Sequence, residues 1–524
     1  MGDRARMGVG PASAARRPDL IDAPAASSDT RDAWRAAIAV CLAAGVLRLI
    51  VAATTPLFPD ETYYWEWSRH LAAGYFDHPP IVAWVTAFGR VLFGDTPLGV
   101  RFGSVCMGIV ASFALVGSAR RLAGASAALL AAIVFAIMPL SAAGLVLATP
   151  DAPLFAAAAT MWYSLTRALE VLPRSRSSLA WWCAAGVALG VAFASKYTAV
   201  LLPFGVLVAC VVYAPLRARL REPGPYLATM LAILVFAPVL MWNGRHDWVS
   251  LAFQFGHGLS RASGSVIGRE LEMIGGQAGL VSPVLFALFA TAVWRSLRGH
   301  GTQPVFRLLA VAAVVVFAFF MYSATRRRVE ANWPALAYLP ATLLLAASAK
   351  DSWRRARSMR IGLALAGLLS LVTYVNAYVP VLPVPARRDP AARAAEWDVL
   401  ADAVARAVRV DTTRVHVAAD RYQDASELAF HLPGHPTTYA LNLGSRRNQY
   451  GLWPSFRQTA RAGDDLVLVL DDTPEVPAQI VALTPHFFAV ARGDSARLER
   501  GGEFVKQFRL WQLRAWRGTW PGPE

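Results

Sequence analysis

Between Trp34 and Pro380 the chain repeats one pattern, an apolar window about 20 residues long closed by a cluster of arginines. Such a window matches the hydrocarbon thickness of a bilayer. The repetition predicts roughly eleven spans, with cores starting near Trp34, Leu98, Ser126, Pro150, Ala180, Ala199, Tyr226, Gly275, Phe306, Pro334 and Ile361. Composition agrees, because 56% of the 524 residues are hydrophobic and only 16% charged, and mean hydropathy is +0.40. The expected fold class is an α-helical polytopic membrane protein. A net charge of +16 raises the question of nucleic acid. The arginines lie in short clusters between apolar runs and not on one soluble face, so the basicity is topological and no nucleic acid is expected.

Those clusters orient the chain. Arg16 and Arg17, Arg120 and Arg121, and the basic connections 167–176, 217–221, 295–307 and 350–360 fall on one side, which the positive-inside bias assigns to the cytoplasm. Residues 1–31 then read as a disordered cytosolic tail without a secretory signal, and 32–380 as the transmembrane domain. The first outer loop is expected at 54–97, with further outer connections at 149–152, 195–197, 243–272 and 325–333. A Pro/Arg linker after Pro380 leads into residues 381–524, where strand-like runs at 414–418, 466–470 and 487–491 alternate with helical patterns at 391–408 and 423–431. This part is expected to be a small α/β domain exported to the periplasm. Cys41, Cys106, Cys183 and Cys210 all sit in apolar segments, which argues against a disulfide scaffold or cysteine zinc site in that domain.

The chemistry concentrates in the outer loops. Asp60 and Glu61 are adjacent carboxylates beside a span, where desolvation makes idle acids costly. Tyr63, Tyr64, Trp65 and Trp67 follow, on a helix expected over 62–71 whose aromatics either line a lipid entrance or simply form an interfacial belt. Asp77 and His78 precede two prolines that stop this helix, and an acid beside an imidazole suits a phosphate, a sugar hydroxyl or a divalent metal without selecting among them. Asp151 begins a span and fits a helix cap equally well. Lys196 interrupts an apolar stretch, where a lysine either snorkels or meets a phosphate. Arg326, Arg327 and Arg328 stand on the outer side against the positive-inside bias, which calls for either a different topology or an anionic partner, and the partner is favoured. Acids beside cations at span ends suit displacement at a sugar carbon bonded to a lipid phosphate. No Walker loop, dinucleotide fingerprint, GxSxG elbow or HExxH helix is present.

The order Pro-Asp-Glu-Thr-Tyr-Tyr-Trp-Glu-Trp-Ser from Pro59, Gly-Tyr-Phe-Asp-His-Pro-Pro from Gly74, Thr-Pro-Asp-Ala-Pro-Leu from Thr149, Ser-Lys-Tyr-Thr from Ser195 and Asn-Trp-Pro-Ala from Asn332 resembles the bacterial branch of the family 39 glycosyltransferases. That group includes protein O-mannosyltransferases and lipid A aminoarabinose transferases. Segments starting at Ala419 and Arg447 resemble the exported domain of uncharacterised members. The resemblance implies a GT-C fold and inverting transfer from a polyprenyl-phosphate sugar. Asp60 would be the base or acceptor-orienting group, and Asp151 a second acidic position. Asp77-His78 replaces the Glu-Lys of the aminoarabinose transferases, and a neutral imidazole is a weaker phosphate partner than an ammonium.

The expected activity is sugar transfer on the outer face of the bacterial inner membrane, from an undecaprenyl-phosphate-like donor to lipid A or another envelope glycan, lipid or protein. Asp60, Glu61 and Asp151 form the expected catalytic set. Lys196, Arg326, Arg327, Arg328 and His78 would grip phosphate, and Asp77, Tyr63, Tyr64, Trp65, Trp67 and Asn332 would contact substrate or lipid. The rivals are a flippase of the same lipid-linked sugar and a non-catalytic envelope scaffold; charges at span ends without internal repeats favour the enzyme.

Overall fold

The computed structural model describes residues 28–259, 265–299, 303–409, 414–444 and 446–521. The expected tail lies outside them as far as residue 27, and its last four residues already belong to the first helix. The chain begins with α1 (Ser28–Thr54), α2 (Pro59–Arg69), α3 (Ile81–Phe93), α4 (Pro97–Ala123), α5 (Ala125–Ile137), α6 (Pro139–Gly144), α7 (Asp151–Glu170) and α8 (Arg176–Ser195). Helical segments occur at every one of the eleven apolar positions. Six described helices are long and apolar enough to cross a membrane, namely α1 from Asp29, α4, α8, Pro223–Arg245, Pro304–Arg326 and Arg357–Tyr378. Two bent pairs raise the number to eight. Val266–Val281 and Pro283–Leu297 meet at 101°, and the pair Tyr197–Val212 and Ala214–Arg221 meets at 114°. Three of the eleven expected positions are not among these eight: α5 and Trp333–Ala349 are apolar helices of fewer than 18 residues, and α7 is not apolar enough.

Close backbone approach holds the bundle together. A Cβ on Gly186 of α8 would lie 2.4 Å from the Ala228 carbonyl oxygen, and one on Gly190 would lie 2.6 Å from Val235 Cβ. Small residues let helices touch where lipid supplies no hydrophobic drive.

The C-terminal domain is a five-stranded sheet of β1 (Val415–Ala419), β2 (Thr438–Ala440), β3 (Asp465–Asp471), β4 (Phe487–Arg500) and β5 (Glu503–Trp516), in the order β2-β1-β3-β5-β4. The first three strands run parallel, and β5 joins β3 and β4 antiparallel. The helix Tyr422–His431 connects β1 to β2 and packs on α2. Thr62 and Ser426 hydroxyls are 3.1 Å apart, the Trp65 and Phe430 rings 5.1 Å, and the Tyr63 and Tyr422 rings 4.3 Å. Sheet and membrane bundle therefore meet across the first loop.

Candidate active site

The helix carrying the acidic pair starts three residues earlier than expected. Pro59 suits the first helical position, and the Glu61 carboxylate accepts the Phe58 N–H at 3.0 Å, which fixes the start. Asp60 and Glu61 consequently point to different surroundings. Glu61 is 1% exposed and bracketed by Arg101 of α4, whose Nε and Nη2 donate at 2.7 and 2.5 Å, while Ala148 N donates at 2.8 Å. The remaining Arg101 donors go to Thr55 and Pro56. Both Glu61 oxygens are thus engaged, and the buried carboxylate seats α2 on the bundle beside Asp60.

The Asp60 side chain keeps 46% of its surface, and Arg393 approaches it at 3.8 Å. Burial among protein groups pushes its carboxyl above the usual range; the Arg393 and Arg446 guanidiniums oppose this, and Asp77 and Glu61 add to it. Asp77 is almost fully buried. It accepts from Tyr63 Oη at 2.6 Å and Arg446 Nη1 at 2.6 Å, and burial raises its pKa despite both. Arg446 also donates to Tyr422 Oη at 3.0 Å and lies over the Phe253 ring, while Gln254 donates to the Asp77 carbonyl at 2.6 Å. The first loop, the helix Val249–Leu259 and the C-terminal domain are thereby tied at one point.

Asp151 opens α7 and is held on both oxygens, by Lys196 Nζ at 2.7 Å and by Asn332 Nδ2 at 2.8 Å. Lys196 is therefore neither a snorkelling lysine nor an isolated cation. Burial pushes the Tyr64 phenol well up, and the charges of Asp60, Asp77, Tyr422 and Asp151 add to this. The His78 ring centroid is 6.3 Å from that of Tyr64.

The aromatic stripe differs from expectation. Tyr63, Tyr64, Trp65 and Trp67 are 2%, 8%, 0% and 0% exposed, because the C-terminal domain covers the face that would otherwise meet headgroups. Of the three outer arginines, Arg328 pairs with Glu272 at 2.7 Å, Arg326 stacks over Tyr322 and Arg327 over Trp333. Asn332 is the residue of that segment that reaches an acid of the site. Among the described residues no three His, Cys, Asp or Glu side chains cluster as a metal cage. Sequence reading missed Arg101, Arg393, Tyr422 and Arg446, all of which act across large separations; an arginine inside the apolar run 98–115 was the one visible signal.

Residues 77–242 match the family described as dolichyl-phosphate-mannose-protein mannosyltransferase. The chain is 27% identical over 326 residues to the lipid A galacturonosyltransferase RgtD of Rhizobium johnstonii, covering 61% of this chain and 65% of that protein. It is 33% identical over 201 residues to the undecaprenyl phosphate-alpha-4-amino-4-deoxy-L-arabinose arabinosyl transferase of Pseudomonas aeruginosa, covering 34% of this chain and 35% of that one. The match thus spans just under two thirds of the first relative and about a third of the second. The solved structure of ArnT from Cupriavidus metallidurans in the apo state superposes with a TM-score of 0.63 at 18% identity, over 90% of this chain and 97% of that one. The same protein bound to undecaprenyl phosphate superposes with the same score at 17% identity. In fold the chain is similar to ArnT, a helical membrane bundle, and over part of its length its sequence is similar to the glycosyltransferases named above.

Proposed function

We propose that the protein transfers a sugar from a polyprenyl-phosphate donor to an acceptor on the periplasmic face of the inner membrane, with inversion at the anomeric carbon and lipid A as the favoured acceptor. The observation that carries this reading is that three carboxylates of the outer loops each face a cation, Asp60 with Arg393 at 3.8 Å, Asp77 with Arg446 at 2.6 Å and Asp151 with Lys196 at 2.7 Å. The named relatives act on lipid A or use undecaprenyl phosphate, which supports the choice of substrates.

In this reading the acceptor hydroxyl oxygen attacks the anomeric carbon while Asp60 takes the hydroxyl proton. The bond from that carbon to the phosphate oxygen breaks, and polyprenyl phosphate departs with the electron pair. An acid that is raised yet half-exposed suits general base work, because it can both reach a substrate and hold a proton. Lys196 uses one of its three donor positions on Asp151 and keeps the others for phosphate oxygens. Asp151 and Asn332 aim that ammonium. Asp77 and Tyr63 aim Arg446, which stands where His78 alone would neutralise little charge. Arg326, Arg327 and Arg328 serve as outer cations that draw in the anionic donor. Tyr63, Trp65 and Trp67 act as buried supports, and the C-terminal domain, periplasmic in this topology, roofs the site.

The test is transfer of a labelled sugar from a polyprenyl-phosphate donor in proteoliposomes. Wild type is expected to transfer, and Lys196→Ala to raise the donor KM. Translocation of the lipid without transfer would instead establish the flippase.

A further inference from the structure

A cavity of about 660 Å³ opens at the far end of α2 from Asp60, between that helix and the β1 and β2 edge of the C-terminal sheet. Its size lies in the range of small-ligand sites, and none of the groups assigned to transfer above lines it. Glu66, Arg69 and His70 enter from α2, and Arg414, Tyr450 and Trp453 from the C-terminal domain.

The lining has a consistent chemistry. Two guanidiniums face one carboxyl. Arg69 is held rigidly by Glu66 at 3.2 Å, by the His435 carbonyl at 2.8 Å and over the Trp65 ring. Arg414 is freer, with its side chain 55% exposed and Asp464 3.9 Å away. Burial raises the Glu66 carboxyl to about 7, which leaves the local balance cationic. Trp453 is half-buried, with the His70 ring at 4.9 Å and Tyr450 edge-on at 5.3 Å, so it offers an aromatic wall. Tyr450 Oη is buried with the Thr438 side chain as its one neighbouring partner, in a weak contact, and a buried hydroxyl of that kind gains from a ligand oxygen. An aromatic wall beside fixed guanidiniums and a weakly bonded hydroxyl fits a sugar ring bearing an anionic group. Glu66 lies six positions along the helix from Asp60, a rise of about 9 Å, so one saccharide chain can touch both.

We propose that this cavity is the acceptor subsite, which takes an anionic saccharide with its charged group on Arg414 and Arg69 and its ring against Trp453. The proposal rests on the transfer reading above for its role, though not for the binding itself.

The experiment titrates the purified full-length protein in nanodiscs with a deacylated, phosphorylated glucosamine disaccharide, by calorimetry, and measures acceptor kinetics in parallel. Wild type and Asp60→Asn are expected to bind alike. Arg414→Gln and Trp453→Ala, both at solvent-accessible positions, are each expected to weaken binding about tenfold or more, with Arg414→Lys recovering part of the loss. In transfer, the same two variants raise acceptor KM and leave kcat and donor KM unchanged. No saturable binding by wild type, or unchanged affinity and acceptor KM in both variants, would overturn the subsite. Binding that weakens as described in the two variants, beside a wild type that transfers no sugar, would leave the subsite standing and refute the transfer reading.

Discussion

Adjacent residues in this chain have separate duties, decided by what each side chain meets once α2 is seated. Glu61 and Arg101 form a fully buried pair, and removing one partner leaves an unpaired charge in a dry setting. Arg101→Leu is therefore expected to cost about 3–5 kcal/mol, read as loss of folded protein in a thermal melt, whereas an Asp60 substitution leaves the melt near wild type. Two further carboxyls sense pH. Burial raises Glu66 and Glu427 from 4.5 to about 7, against the Arg69 guanidinium in the first case and the hydrogen bond to His431 in the second. The folded state thus holds their protons more tightly than the unfolded state. Their penalty is absent below about pH 4.5, grows as pH rises and is complete above about pH 7. Thermal stability should fall across that window, and the double variant Glu66→Gln/Glu427→Gln should flatten the fall. The acids themselves were legible in the sequence, because charge beside a span is conspicuous. That Glu61 is bracketed by Arg101 was not, because Arg101 lies forty residues from Glu61 and only the fold pairs them.

Elements were legible where periodicity and length agree. The strand patterns at 414–418 and 466–470 became β1 and β3 within a residue. β5 escaped notice because its polar and apolar residues alternate imperfectly on a partly covered face. Span number was less legible, since Pro283 follows Ser282 with a positive φ of 73° and turns one apolar stretch into two helices. Helix contacts were hidden altogether, because a glycine in an apolar run signals nothing until its neighbour is known. Gly186→Val is expected to displace α8 from Pro223–Arg245 and to lower the yield of folded protein, since the added carbon meets backbone. Gly367→Ala, with nothing within 4 Å, should be neutral or slightly stabilising. Detergent melts of the two variants check this contrast.

At the scale of the molecule, the C-terminal domain packs against the first loop from outside the bundle. Arg393 and Arg446 reach Asp60 and Asp77 across more than 300 residues of sequence, and the helix Tyr422–His431 buries the aromatic face of α2. This explains why an amphipathic stripe that reads as interfacial is instead a domain interface, since periodicity reports an apolar face and not what covers it. Arg446→Ala is expected to lower kcat/KM about tenfold or more, and Arg446→Lys to recover little, because the contacts to Asp77 and Tyr422 need a planar fork. The central claim is that Asp60 is the base of sugar transfer. Its most direct test is the single-turnover rate of Asp60→Asn in proteoliposomes loaded with a labelled polyprenyl-phosphate sugar. The account predicts a rate lower by about 10²–10⁴ with donor affinity unchanged, and a variant that transfers at the wild-type rate would contradict it.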